Sequence, residues 1–456
     1  MKELFKIFIA IMLIGGTTLA NFNSLPKPNN ASTEMYARAA DEYMVQFNAE
    51  LKTELKSLEQ LKLFSSYQKT DLIEYSIKPA VKFLFGPLTH RSIGGEQKDN
   101  AIVVHWEAAQ IREGFVFVPY VYQGQWLINN QAESMDKLEI PLPLNTKIIK
   151  SSNWKNCTDS AHTDFESYWY YWDPARPGCD QREGIHYQII QPQVSKKTVQ
   201  TVRSYPEYSN MTKDGLMSLT FGFGYVEDPP NPKPMTDTDY GMGQMRSFIS
   251  MVRREVAGRN LKESTILEKE YAGARQPSRV IGTRFEFEKN GIKVKINIVA
   301  SGSIDQMELF AQSFAHDHDD YFGWFGHSRV GNGFDAFQVQ RMLRSNSDYY
   351  SLTSDYQLIY WAGCNSYSYY TKPFFDFKAN LRNEDPKGTK ALDIISNGLP
   401  SYFSLNASNA LVLYKALTNF DRPVSYQEIV NKLEIQSNQM GIYVLVNVLG
   451  DEDNTN

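Results

Sequence analysis

The chain has 456 residues, enough for two or three domains, and carries 47 Lys and Arg against 52 Asp and Glu for a formal net charge of −5. The basic residues are scattered, which leaves no electrostatic footprint for nucleic acid. Beyond the N-terminus no stretch is apolar enough to cross a membrane, so stable membrane insertion of the mature chain is not expected.

The first residues read as an export signal. Met1-Lys2-Glu3-Leu4-Phe5-Lys6 is a charged opening, 7–14 is a short apolar run, and Thr18 and Ala20 put small residues before a cut after Ala20. No cysteine follows to carry a lipid. The expectation is a protein released to a periplasm or the medium, with Asn21 as its mature start.

A linker and helical arm are expected over 21–99. Ser32 or Thr33 can cap a helix, and Tyr36, Ala40, Tyr43, Met44, Phe47, Leu51, Leu55 and Leu58 recur at spacings of three and four, predicting a helix to about 63. A second helical patch covers 72–85. Residues 100–212 then read as a β-rich domain with strands over 102–106, 115–122, 187–190 and 198–202. It carries Cys157 and Cys179 in turn-rich surroundings on either side of Tyr168-Trp169-Tyr170-Tyr171-Trp172. With three cysteines in an oxidising compartment, these two are expected to close a loop, stabilising by roughly 3 kcal/mol in the chain-entropy model, and Cys364 is left as the thiol.

Residues 213–456 alternate strands and helices. Strands are expected over 219–226, 321–326, 356–362, 391–395 and 443–449, and helices over 243–256, 304–315, 334–343, 407–417 and 426–433. Asn290-Gly291 marks a hairpin, and a proline-rich loop covers 228–239. This order argues an α/β fold, a mostly parallel sheet flanked by helices on both faces.

Reactive residues in open α/β sheets sit just past the carboxyl ends of strands. Two strand ends qualify. One runs into Gly326-His327-Ser328, the other into Gly363-Cys364-Asn365-Ser366, with one crossover between them that brings consecutive parallel strands side by side. An imidazole beside a thiol raises its thiolate fraction, and backbone amides at the two turns can hold a developing oxyanion.

These two motifs, in this order and strand context, resemble the caspase-like (clan CD) cysteine peptidases over the C-terminal half of the chain. The resemblance implies His327 as general acid/base, Cys364 as nucleophile, and the amides of Ser328 and Cys364 as the oxyanion hole. It implies a protein or peptide substrate and asks no cofactor or metal to do the chemistry. Two features depart from the family: Ser328 stands where glycine is usual, and Asn365-Ser366-Tyr367-Ser368-Tyr369-Tyr370 is bulkier after the nucleophile. Candidate substrate contacts are Arg329 and Asn332 in the loop after His327, and Asn365 and Ser366 after Cys364. Asp335 is expected to cap the next helix. His316-Asp317-His318-Asp319-Asp320 superficially suggests a metal site but reads as a solvated helix end, because histidines two apart on a helix diverge. No Gly-x-Ser-x-Gly elbow appears. The rival reading is a catalytically inactive caspase-like envelope or surface binding protein, with the Tyr/Trp-rich disulfide loop as its contact surface.

Overall fold

The computed structural model describes residues 40–451 apart from 97–99, 130–136, 161, 165–166, 197–203, 228–237, 267–280, 303–304, 329–333, 380 and 383–384. The export signal over 1–20, the leader, the strand at 198–202, most of the loop at 228–239, Arg329 and Asn332 lie outside the described residues.

The helix expected over 36–63 is replaced by a strand. β1 (Ala40–Lys52) pairs antiparallel along its whole length with β5 (Phe115–Asn129). Two periods coexist in this stretch. Tyr43, Phe47 and Leu51 fall four apart, but Val45, Phe47, Ala49 and Leu51 alternate with Met44, Gln46 and Asn48. The alternating set is the one that is buried, and Met44 faces solvent. A long partner strand satisfying every backbone group decides between the two periods.

Helical structure begins later, at Leu58–Lys62, and runs from Ser66–Leu72 to Phe85–His90 through short π and 3-10 turns. Ile77, Val81, Leu84 and Leu88 form its buried stripe against β1 and β5. Residues 40–96 are therefore part of the β unit rather than a separate arm. β2 (Gly94–Glu96), β3 (Ala101–Val104) and β4 (Gln110–Arg112) also pair with β5. β6 (Ile140–Pro143) and β7 (Tyr187–Ile190) form a small ribbon, and β8 (Gln193–Lys196) pairs with β1.

Cys157 and Cys179 are joined, and Cys364 is a thiol. Tyr168, Trp169, Tyr170 and Trp172 inside the closed loop are buried against Phe83 and Phe85. These four rings of the loop are thus core packing rather than exposed contact residues.

The second sheet has eight strands in the order β10-β11-β12-β9-β13-β14-β15-β16. They are β9 (Leu216–Gly224), β10 (Lys262–Ile266), β11 (Ile281–Lys289), β12 (Ile292–Ser301), β13 (Tyr321–Phe325), β14 (Gln357–Trp361), β15 (Leu392–Asn397) and β16 (Val446–Leu449). The five from β12 to β15 are mutually parallel, and the outer pairings are antiparallel. Asn290 and Gly291 turn the β11–β12 hairpin with φ of 53° and 78°, the left-handed conformation such a turn needs.

Successive side chains alternate between the two faces. Phe221, Phe223, Tyr321, Phe325 and Leu358 pack under the helices Tyr240–Glu255, Asn406–Leu417 and Tyr426–Gln439. Phe322, Trp324, Ile359 and Trp361 pack under Gln306–Ala315, Ala336–Ser345 and Lys372–Lys378. The fold class is mixed α/β, as expected.

The antiparallel sheet is set against the carboxyl end of the parallel strands. Tyr367, just past β14, donates its hydroxyl to the buried Glu42 of β1 at 2.9 Å. Ala40 and Leu127 join the core under Trp324 and Trp361. Gly95 meets Gly398 so closely that a Cβ at 95 would stand 2.7 Å from the Gly398 carbonyl oxygen. Among the described residues no helix is long and apolar enough to cross a membrane.

Candidate active site

Trp324 of β13 pairs with Trp361 of β14 at the last register step of two parallel strands. His327 and Cys364 each lie three residues further on, so both leave the sheet at the same level of neighbouring strands. Their turns touch: a Cβ on Gly363 would stand 3.3 Å from the Ser328 amide nitrogen.

Three glycines set the His327 backbone. Trp324 lies across Gly222, Gly224 and Gly326, and its Nε1 donates to the His327 carbonyl at 3.0 Å. A Cβ at 326 would fall 2.7 Å from the indole, too close without moving the ring. Gly326→Ala is therefore expected to cost about 1–3 kcal/mol by overpacking and to pull the His327 carbonyl off the indole, read as a lower thermal midpoint with quenched or shifted tryptophan fluorescence. An unchanged midpoint and spectrum would show that the indole is not held there.

The imidazole is oriented by a backbone carbonyl. His327 Nε2 lies 2.9 Å from Val226 O, just past β9. A carbonyl only accepts, so this partner assigns the proton to Nε2 and leaves Nδ1 as the basic nitrogen. Phe403 meets the ring edge-on at 5.0 Å. Val226 is itself held: its amide donates to Asp239 Oδ2 at 3.0 Å, and the Glu227 amide to the same oxygen at 3.2 Å. Asp239 also caps the helix Tyr240–Glu255 by accepting from the Met242 amide at 3.2 Å.

Cys364 is partly exposed. Its Sγ accepts from the Ser401 amide at 3.3 Å and donates to the Ser401 carbonyl at 3.5 Å. Burial pushes the thiol up, while the Ser401 backbone and the Tyr170 hydroxyl pull the other way. Among the described residues, no hydrogen bond joins Sγ directly to the imidazole. The Ser328 amide, which adjoins the Gly363–Cys364 turn, meets no acceptor among the described residues.

Two expected substrate contacts are corrected. Asn365 is fully buried in the left-handed conformation, with φ of 48°. Its amide donates to Leu399 O at 2.9 Å, its Nδ2 to Gly398 O at 3.1 Å, and its Oδ1 accepts from the Tyr170 hydroxyl. Ser366 is equally buried, with Oγ donating to Trp361 O at 2.8 Å and accepting from the Asn397 amide at 2.8 Å. Both residues build the turn and neither faces a cleft.

The acidic stretch before β13 is occupied with local bonding. Asp319 Oδ2 accepts from the Thr220 hydroxyl at 2.6 Å and the Ser313 hydroxyl at 2.8 Å, and Asp320 accepts from the Ser218 amide at 2.8 Å. His316 stacks on Tyr349 with ring centres 4.4 Å apart. Among the described residues no group of three or more His, Cys, Asp and Glu side chains is arranged to hold a metal ion. Asp335 caps its helix as expected, accepting from the Phe337 amide at 2.8 Å.

Sequence reasoning missed Val226, Asp239, Trp324, Tyr170 and Ser401. Val226 and Ser401 act through backbone atoms, which leave no side-chain signal. Asp239 and Tyr170 stood in segments noted for composition, the proline-rich loop and the aromatic disulfide loop, with nothing to aim them at the site. In comparison with known proteins, no family model matches this chain, and neither a curated protein nor a solved structure matches it.

Proposed function

We propose that this chain is an exported cysteine endopeptidase of caspase-like type, with Cys364 as nucleophile and His327 as general acid/base. The observation that carries the reading is the placement of His327 and Cys364 at one level beyond adjacent parallel strands, with the imidazole's Nδ1 left basic by the Nε2 bond to Val226 O. In the reaction the thiol gives its proton to Nδ1, and Sγ forms a bond to the scissile carbonyl carbon. The amides of Ser328 and Cys364 take the oxyanion. The imidazolium then protonates the leaving amine as the C–N bond breaks, and water releases the acyl group by the reverse sequence. The separation of thiol and imidazole in the resting site does not oppose this, because such contacts tighten around bound substrate. The disulfide supports export, since such bonds persist in oxidising compartments.

One observation favours the inactive binding protein instead: the thiol is raised by burial and bonded to the Ser401 backbone. A peptidyl electrophile distinguishes the two, with the modified residue mapped by mass spectrometry. The peptidase reading expects Cys364 of the folded protein to be labelled. Labelling only after denaturation would leave the inactive reading standing.

A further inference from the structure

The turn that carries Cys364 is not built by the α/β unit alone. Three of its residues are each held by a different element of the N-terminal unit. Asn365 accepts from the Tyr170 hydroxyl of the disulfide-closed loop. Tyr367 donates to Glu42 of β1 at 2.9 Å. Tyr369 stacks on Phe85 with ring centres 5.5 Å apart and planes 23° from parallel.

Tyr170 is the member closest to the chemistry. It is almost wholly buried, stacked on Phe85 at 5.6 Å and set edge-on to Trp169 at 5.7 Å. The two ends of its loop are tied by Cys157–Cys179. Its hydroxyl donates to Asn365, the residue next to Cys364 in the chain. A phenol has one proton to donate. Asn365 Oδ1 takes it, and without that donor the buried oxygen is left unpaired and the turn that sets Sγ against the Ser401 amide loosens.

From this geometry we infer that Tyr170 is a positioning residue that holds the Cys364 turn against the Ser401 amide, and that the N-terminal unit is a permanent part of the site rather than a removable pro-segment. The inference rests on Cys364 being the reactive thiol but not on peptide hydrolysis. The buried hydrogen bonds and the Gly95–Gly398 backbone contact describe an interface packed like a core, which a cover destined for removal would not need.

The test is the pH dependence of Cys364 alkylation by iodoacetamide in the full chain, followed by mass spectrometry, for wild type, Tyr170→Phe and Cys157→Ser/Cys179→Ser. Tyr170→Phe keeps the ring and removes only the hydroxyl. Its alkylation midpoint is expected to rise by about one pH unit, a roughly tenfold slower reaction at neutral pH. The disulfide variant is expected to move the midpoint the same way by loosening the loop that aims Tyr170. Circular dichroism shows whether each variant is folded. A folded Tyr170→Phe protein with the wild-type midpoint overturns the inference; should that variant not fold, an unshifted midpoint in the folded disulfide variant overturns it equally. A shifted midpoint in a protein that cleaves no peptide supports the positioning role while the peptidase reading fails.

Discussion

Cys364→Ala is expected to abolish peptide hydrolysis while moving the thermal midpoint by no more than about 2–4 °C. Deleting Sγ removes one small, partly buried atom and its two bonds to the Ser401 backbone, so the stability change stays at about 1 kcal/mol. Its catalytic cost is of another order. Loss of a nucleophile leaves only what the oxyanion donors and substrate binding supply, a fall on the order of 10⁶ where such losses are largest. His327→Ala is expected to cost about 10²–10⁴-fold, because the thiol keeps its proton and the leaving amine finds no donor. A peptide library spanning all side-chain classes, assayed with wild type and both variants at matched concentrations, decides the matter. Full activity in Cys364→Ala would refute the mechanism outright.

Lys378 is expected to make stability depend on pH. It ends the helix Lys372–Lys378 fully buried, with Nζ donating to Thr353 O at 2.9 Å and Asp355 O at 3.0 Å and lying 4.9 Å from the Phe314 ring centre. Burial is the main reason its amine is pushed down to about 7 from 10.5, with the Asp355 carboxylate opposing and Arg382 adding to the shift. Between those two values the unfolded chain binds a proton that the folded chain does not. Stability therefore rises with pH across that window and is flat, for this group, below it. The full span is worth on the order of 5 kcal/mol. Asp320 works against it lower down: burial raises its carboxyl to about 8, so the folded chain holds the extra proton there and stability falls as pH climbs toward that value. The measurement belongs above the overlap. Thermal midpoints of wild type and Lys378→Met between about pH 8.5 and 10 are expected to diverge in slope, with the wild type gaining on the variant. Parallel curves would mean that Lys378 stays charged in the folded protein. The two stranded carbonyls in the variant add an offset but no slope.

Much of the α/β half was legible because its signals are local and redundant. Tyr321–Phe325 and Gln357–Trp361 are short apolar runs ending in glycine, and the helix between them is capped by Asp335. That is enough to put His327 and Cys364 at neighbouring strand ends. The β1 segment was misread because its apolar residues satisfy two periods, and the choice rests on a partner strand some seventy residues away (Phe47 pairs with Tyr122). Asn365 and Ser366 were misassigned for a related reason. Polar residues beside a nucleophile suggest substrate contact, yet their partners are Gly398, Leu399, Trp361, Asn397 and Tyr170, and four of those five lie on distant chain segments. Aromatic richness at 168–172 was visible, but it could not say whether the rings face outward or inward.

The joint between the two sheets also bears on how the chain folds. Glu42 and Tyr367 are 325 positions apart, and Tyr170 and Asn365 are 195 apart. Contacts of such separation close late and slowly, because the intervening chain must be ordered before they form. The N-terminal unit is synthesised first yet lacks Tyr367, Tyr369 and Gly398 until the end. The α/β unit in turn leaves Asn365 Oδ1 without a donor until Tyr170 arrives. Each half is thus incomplete without the other, and the two are expected to melt in one cooperative transition. For a hydrolase of the proposed kind, the nucleophile turn then takes its final shape only when the whole chain has been made, and a partly synthesised chain carries no assembled site.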